Sequence, residues 1–155
     1  MSAIDVGGVG GTSWAGVEAY RARESGDFVS EQMGILFWDF GIPTVASIIE
    51  SRVSLPIIAT GGIRTGLDIA KSIAIGANAA SAAMPFVDPA FKGKEAVVSV
   101  LSRMLNEFRA SMFLCGCANI QDLRNAPVVI TGWTLEYLGQ RGFNLKDYAM
   151  SREIL

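Results

Sequence analysis

The sequence predicts an α/β fold in which short parallel strands alternate with helices, on three observations. Residues 56–60, Pro-Ile-Ile-Ala-Thr, and residues 79–83, Ala-Ala-Ser-Ala-Ala, do not alternate apolar with polar positions, the pattern of parallel strands covered on both faces. Between them Leu67, Ile69, Ala70, Ile73 and Ala74 recur at helical spacing, which gives a β-α-β rhythm. Glycine-rich segments follow the strands directly, at the C-terminal strand ends where such folds assemble their sites.

The elements follow in order. Residues 3–6 form a first strand that runs straight into Gly7-Gly8-Val9-Gly10-Gly11-Thr12. A helix lies near residues 17–23, the polar Ser25-Gly26-Asp27 breaks it, and a second spans about residues 30–40, where Gly41 ends it in a left-handed turn. Pro43 opens a third helix that reaches about residue 52, because a missing N–H costs nothing in a first helical turn. After the 56–60 strand and its glycine loop, Thr65 and Asp68 form a capping pair for a helix that Gly76 closes. Beyond the 79–83 strand a long amphipathic helix runs from Lys94 to about Cys115, with Val97, Val98, Leu101, Met104, Leu105 and Phe108 as its inner stripe. Shorter helical pieces complete the chain.

Composition narrows the function classes. Of 155 residues 50% are hydrophobic and 18% charged, enough apolar material for one core in one domain. The net charge of −2, with Lys and Arg scattered, offers no basic footprint for a nucleic acid or an anionic membrane. The most apolar run, residues 73–87, is interrupted by Gly76, Asn78, Ser81 and Pro85 and falls short of the roughly 20 residues of a membrane span. No basic leader precedes an apolar segment at the start, so the expectation is a soluble, cytoplasmic protein. Cys115 and Cys117 read as reduced thiols near a helix end, and no histidine exists to complete a metal site with them.

The chemistry-bearing features are the two glycine segments. In Gly61-Gly62-Ile63-Arg64 exposed N–H groups and an arginine fork together suit a dianionic phosphate. The next strand ends at Ala82-Ala83-Met84-Pro85, a second set of donors for the same anion. Loops after the last two strands of a (β/α) barrel bind phosphate in this manner.

These residues resemble the type 2 isopentenyl-diphosphate isomerases, flavin-dependent (β/α)-barrel enzymes. The resemblance rests on residues 5–14, on Asp39-Phe40-Gly41-Ile42-Pro43-Thr44 with Ser47-Ile48, and on the 61–66 loop with Leu67-Asp68. Met112-Phe113-Leu114-Cys115-Gly116 and Gly139-Gln140-Arg141-Gly142 extend it toward the C-terminus. The 61–66 loop alone is shared with 2-hydroxy acid oxidases and glutamate synthases, but the oxidases carry a catalytic histidine in the loop matching residues 7–12, and this chain has none.

The resemblance implies a TIM (β/α)8 barrel of which residues 1–155 are the C-terminal part, about strands 6 to 8 with their helices. It implies isomerisation of isopentenyl diphosphate to dimethylallyl diphosphate with reduced FMN as acid-base element, with Mg2+ and NADPH as further family cofactors and a homo-oligomeric full-length enzyme. By matching position Gly7 and Thr12 would contact the flavin, Gly62, Ile63 and Arg64 would bind its phosphate, and Ala83 and Met84 would close that site. Trp14 and Trp38 are read as packing residues, Asp5 and Glu18 as structural, and no catalytic residue or metal ligand is assigned. The family's metal-binding glutamate, its glutamine near the substrate double bond and the flavin-contacting lysine of the fifth strand match nothing here. The expectation is therefore a fragment rather than a split-gene product or self-pairing half-barrel, with an open strand edge at residues 3–6. The other readings are a different FMN-dependent barrel oxidoreductase and a non-catalytic flavin- or phosphate-binding fragment.

Overall fold

A computed structural model describes residues 2–51 and 53–151. Strand β1 (Ile4–Asp5), β2 (Ile57–Ala59) and β3 (Ala79–Ala80) form one parallel sheet in that order, with Ile4 opposite Ile57, Asp5 opposite Ile58, Ile58 opposite Ala79 and Ala59 opposite Ala80. The ladder continues past these short cores. Val6 N–H donates to Ile58 O at 3.2 Å, Gly8 N–H to Thr60 O at 3.0 Å and Ser81 N–H to Ala59 O at 2.9 Å. The three strands thus deliver their loops to one end of the sheet.

Three helices lie between β1 and β2. Helix α1 (Trp14–Ser25) begins at Ser13, whose hydroxyl accepts from Gly16 N–H, and ends at Gly26 with φ 77°, a left-handed cap that glycine adopts without strain. It is longer than residues 17–23 because the Ser13 cap recruits Trp14 to Gly16. Helix α2 (Phe28–Leu36) starts from Asp27, which accepts from Ser30 N–H. It packs on α1 at Gly34, where a Cβ would lie 2.5 Å from Ala15 O. The helix ends at Leu36, four residues before the expected position, so Gly41 is not its cap. Helix α3 (Thr44–Glu50) has Pro43 as its N-cap, and the expected end at residue 52 lies outside the described residues.

After β2, helix α4 (Gly66–Ala74) carries the complete Thr65–Asp68 capping box, and Gly76, with φ 116°, follows its last turn. Strand β3 stops at Ala80 instead of residue 83, and helix α5 (Met84–Lys92) takes over. No helix was assigned to this stretch from the sequence. Pro85 sits in the first turn, where no N–H is required, and the helix tolerates Pro89. Ala79 is exposed, so β3 is an edge strand and not covered on both faces.

Helix α6 (Lys94–Leu114) follows almost the full expected span and packs on α4 and α5. Of its expected inner stripe only Met104 is buried, Val97 and Phe108 are half-buried, and Val98, Leu101 and Leu105 are exposed. Two neighbouring helices cover one flank of a 21-residue helix and leave the rest of its apolar surface open. Helices α7 (Ile120–Asn125), α8 (Gly132–Gln140) and α9 (Leu145–Ser151) finish the described chain.

The core has three parts. Ile48, Ile57, Ala59, Ile75 and Ala77 fill the space between α3 and the sheet. Ala70, Ile73, Ala74, Cys117 and Leu123 join α4 to α7. Ala46, Ile49, Leu138, Leu145 and Tyr148 tie α3 to α8 and α9. Burying side chains the size of Ile48 and Ile49 stabilises by about 1.5–3 kcal/mol each, so α3 anchors both the sheet and the C-terminal helices. Its N-terminus is thereby fixed beside the glycine loops.

Candidate functional site

The loops after β1, β2 and β3 converge on one cavity of about 480 Å3. Gly7, Thr12, Gly62, Ile63, Arg64, Ala83 and Met84 all line it, so the structure brings together every residue singled out from the sequence. Thr60, Ser81, Ala82 and Trp14 join them. Thr60 was legible as the residue that ends a strand, Ser81 follows β3 because that strand stops at Ala80, and Trp14 is 76% exposed and borders the opening, unlike a core residue. Trp38 does pack, edge-on to Tyr20 and across Gly16, where a Cβ would meet its ring at 2.9 Å.

Close backbone contact locks the loops to one another. The Thr60 hydroxyl donates to the Asp5 carboxylate and accepts from Gly7 N–H at 2.8 Å, which also lies 3.0 Å from Asp5 Oδ1. This gives Asp5 its structural part, and Glu18 pairs with Arg21 on the exposed face of α1. A Cβ at Gly61 would lie 1.8 Å from Gly8 O, and one at Gly62 would lie 2.4 Å from Gly10 O. Only glycine permits this approach, and the positive φ of both, 96° and 80°, requires it independently. Thr44, at the start of α3 and almost fully buried, donates its hydroxyl to Gly61 O at 2.6 Å. The sequence offered no local sign of that contact, which spans 17 residues.

Carboxylates hold the outer side of the second loop. Asp68 Oδ2 accepts from the N–H groups of Arg64 at 3.1 Å and Thr65 at 2.9 Å, and from the Thr65 hydroxyl. Burial pushes its carboxyl up, but the Thr65 hydroxyl, these two N–H groups and Lys71 outweigh burial and hold it below its ordinary value. Gly66 N–H donates to Glu107 Oε2 of α6 at 2.8 Å.

What remains for a ligand is a set of donors. The N–H groups of Gly62, Ile63, Ala83 and Met84 have no acceptor within the protein among the described residues. The last two belong to the start of α5, where the helix dipole favours an anion. Arg64 is exposed and its guanidinium makes no ion pair among the described residues. Ile63 is 7% exposed, so its side chain anchors the loop and only its backbone is available. At Gly7 a Cβ would meet nothing within 4 Å, so the cavity is open there. Backbone donors from two loops, a helix N-terminus and one guanidinium fit a phosphate ester.

No carboxylate, thiol or amine among the described residues lines this cavity. Among the described residues no three His, Cys, Asp or Glu side chains gather as a metal site, and none of the helices is long and apolar enough to cross a membrane. Cys115 and Cys117 are free, and burial raises the Cys117 thiol above its ordinary value, with Cys115 and Asp122 adding to the effect.

Strand-end loops that offer backbone donors and one arginine define a class of cofactor-phosphate sites, and the sequence agrees: residues 40–130 match the family model described as FMN-dependent dehydrogenase. The chain belongs to that family. Its curated relatives include the isopentenyl-diphosphate delta-isomerase of Methanosarcina barkeri, 83% identical over 97% of this chain and 41% of the relative. The protein of the same name from Methanosarcina acetivorans is 77% identical over 100% of this chain and 42% of the relative. That from Thermococcus kodakarensis is 48% identical over 99% and 41%. The resemblance read from the residues is thus to an enzyme family whose members carry this name. The chain spans about two fifths of the length of these relatives.

Proposed function

We propose that this chain is the C-terminal, FMN-phosphate-binding part of a TIM-barrel enzyme that isomerises isopentenyl diphosphate to dimethylallyl diphosphate. The observation that carries the reading is the convergence of the 7–12, 61–64 and 82–84 segments on one cavity lined by unpaired donors and Arg64. Gly62, Ile63, Arg64, Ala83 and Met84 hold the FMN phosphate, and Gly7 and Thr12 border the rest of the flavin. The reduced cofactor supplies the proton addition and removal at the substrate double bond. The names of the relatives support the choice of substrate.

With no carboxylate, thiol or amine on the wall of this cavity among the described residues, the side chains that line it bind and orient without moving protons. Groups that contact Mg2+ and substrate, with any use of NADPH, belong to the portion of the barrel that the longer relatives have in addition. The assembled enzyme is a homo-oligomer in the cytoplasm, a setting that fits two free cysteines.

Titration with FMN, followed by flavin fluorescence, tests the binding step. Isomerase assay with reduced FMN, Mg2+ and substrate tests the division of labour. Quenching without turnover is the expected result, and turnover by these 155 residues alone would defeat it. Arg64→Ala should weaken FMN binding by about 1.5–3 kcal/mol, the worth of a charge-assisted hydrogen bond. Unchanged affinity removes Arg64 from the site.

A further inference from the structure

Glu107 lies on α6, outside the cavity and 41 residues from the loop it touches. Its Oε2 accepts the Gly66 N–H at 2.8 Å, and its Oε1 pairs with Arg103 one helical turn earlier. A carboxylate that receives a backbone N–H and a guanidinium is fixed at both oxygens. These two bonds, the Gly66 N–H first and Arg103 second, hold its carboxyl below the ordinary range against the opposing effects of burial and of the Asp68 charge. The α6 backbone itself abuts the loop, since a Cβ on Gly66 would lie 2.2 Å from Met104 O and 2.3 Å from Phe108 N. Gly66 is thus clamped to a long helix, two residues beyond Arg64.

The N–H groups of Arg64 and Thr65 go to Asp68 and that of Gly66 to Glu107. Three successive donors are turned to carboxylates, and the anion is left those of Gly62 and Ile63 with the Arg64 side chain. From this division we infer that Glu107, held by Arg103, is a positioning residue for the cofactor phosphate: it fixes which part of the loop faces the anion. The inference rests on the FMN-phosphate reading above. If the Gly66 N–H lost its acceptor, it would compete with Gly62 and Ile63 for the nearest anion, and the loop would shift toward it.

Riboflavin separates this role from a merely structural one, because it lacks only the phosphate. The full 155-residue chain and its variants are titrated with FMN and with riboflavin, with thermal midpoints measured alongside. Glu107→Ala should lower FMN affinity about tenfold, equivalent to one charged hydrogen bond, with riboflavin affinity unchanged. Glu107→Gln, whose amide oxygen still accepts from Gly66, should restore most of the preference. Arg103→Met, which frees the carboxylate without touching the loop, should give a smaller loss in the same direction, and it carries the test if Glu107→Ala does not fold. Equal losses for FMN and riboflavin, or no loss for either, would overturn the positioning role. A wild-type chain that does not prefer FMN to riboflavin would instead defeat the phosphate reading, and this role with it.

Discussion

The two glycine loops have nearly the same composition and are held in different ways. The first, residues 7–12, is hydrogen-bonded only through residues 7–9, where Val9 O also accepts the Thr44 N–H at 3.2 Å, and its remainder meets the second loop by packing alone. Gly7 bonds to Thr60 and Asp5, Gly8 to Thr60 and Val9 to Ile42, whereas Gly10, Gly11 and Thr12 are exposed and donate no hydrogen bond within the described protein. The second, residues 61–66, is tied along its length, by Thr44 at Gly61, by Asp68 at Arg64 and Thr65, and by Glu107 at Gly66. Glycine content therefore does not decide how rigid such a loop is. Acceptors and donors outside the loop decide it, and they make the second loop the fixed wall of the site and the first its adaptable one.

The sharpest way to break this contrast is Gly61→Ala, which would drive a Cβ to 1.8 Å from Gly8 O at a φ of 96°. A loss of about 3 kcal/mol is expected in chemical denaturation, from overpacking and left-handed strain together. Thr44→Val keeps the volume and removes the hydroxyl bond to Gly61 O, so about 1–2 kcal/mol should be lost, with Thr44→Ser close to wild type. Gly7→Ala, in the less tethered loop, meets no atom within 4 Å and bears only the strain of φ 49°, about 1 kcal/mol in the same measurement. A Gly7→Ala loss as large as that of Gly61→Ala would show the two loops to be equally constrained.

Acid should bring out the smallest effect. The Asp68 and Glu107 carboxyls are both held below their ordinary values, so the unfolded chain takes up protons first. Their contribution is complete above the unfolded carboxylate range near pH 4 and drains away as the pH falls through the lower folded-state values. Amide resonances of Arg64, Thr65 and Gly66 should move over that window, while those of Gly10 and Gly11 stay in place. Partly exposed carboxylates make the associated stability loss modest.

Short-range features were legible in the sequence and long-range ones were not. The Thr65–Asp68 box and the Gly26 stop act within a few residues, so residue type alone announces them. The cavity-lining segments 61–64 and 82–84 were legible as glycine- and alanine-rich strand ends with an arginine, whereas Gly7 and Thr12 were assigned by the family resemblance. Thr44 and Glu107 reach the loop across 17 and 41 residues, and nothing near either marks it as an anchor. Helix α5 escaped because its nine residues carry two prolines and no side-chain N-cap, so little local signal announces it. The open apolar stripe of α6 escaped because periodicity predicts an amphipathic face but not whether a neighbour covers it.

The cavity wall has a consequence for how such a family diversifies. A surface made of amide N–H groups and one guanidinium suits a phosphate group and places no demand on the chemistry of whatever carries it. Hydride transfer and proton transfer place the same demand on it. A grip of this kind is compatible with more than one reaction at the ring, in keeping with a family described by dehydrogenation whose model matches a chain similar to proteins named for isomerisation. On the reading proposed above, a change of reaction would leave this handle on the cofactor alone and fall on the walls around the substrate.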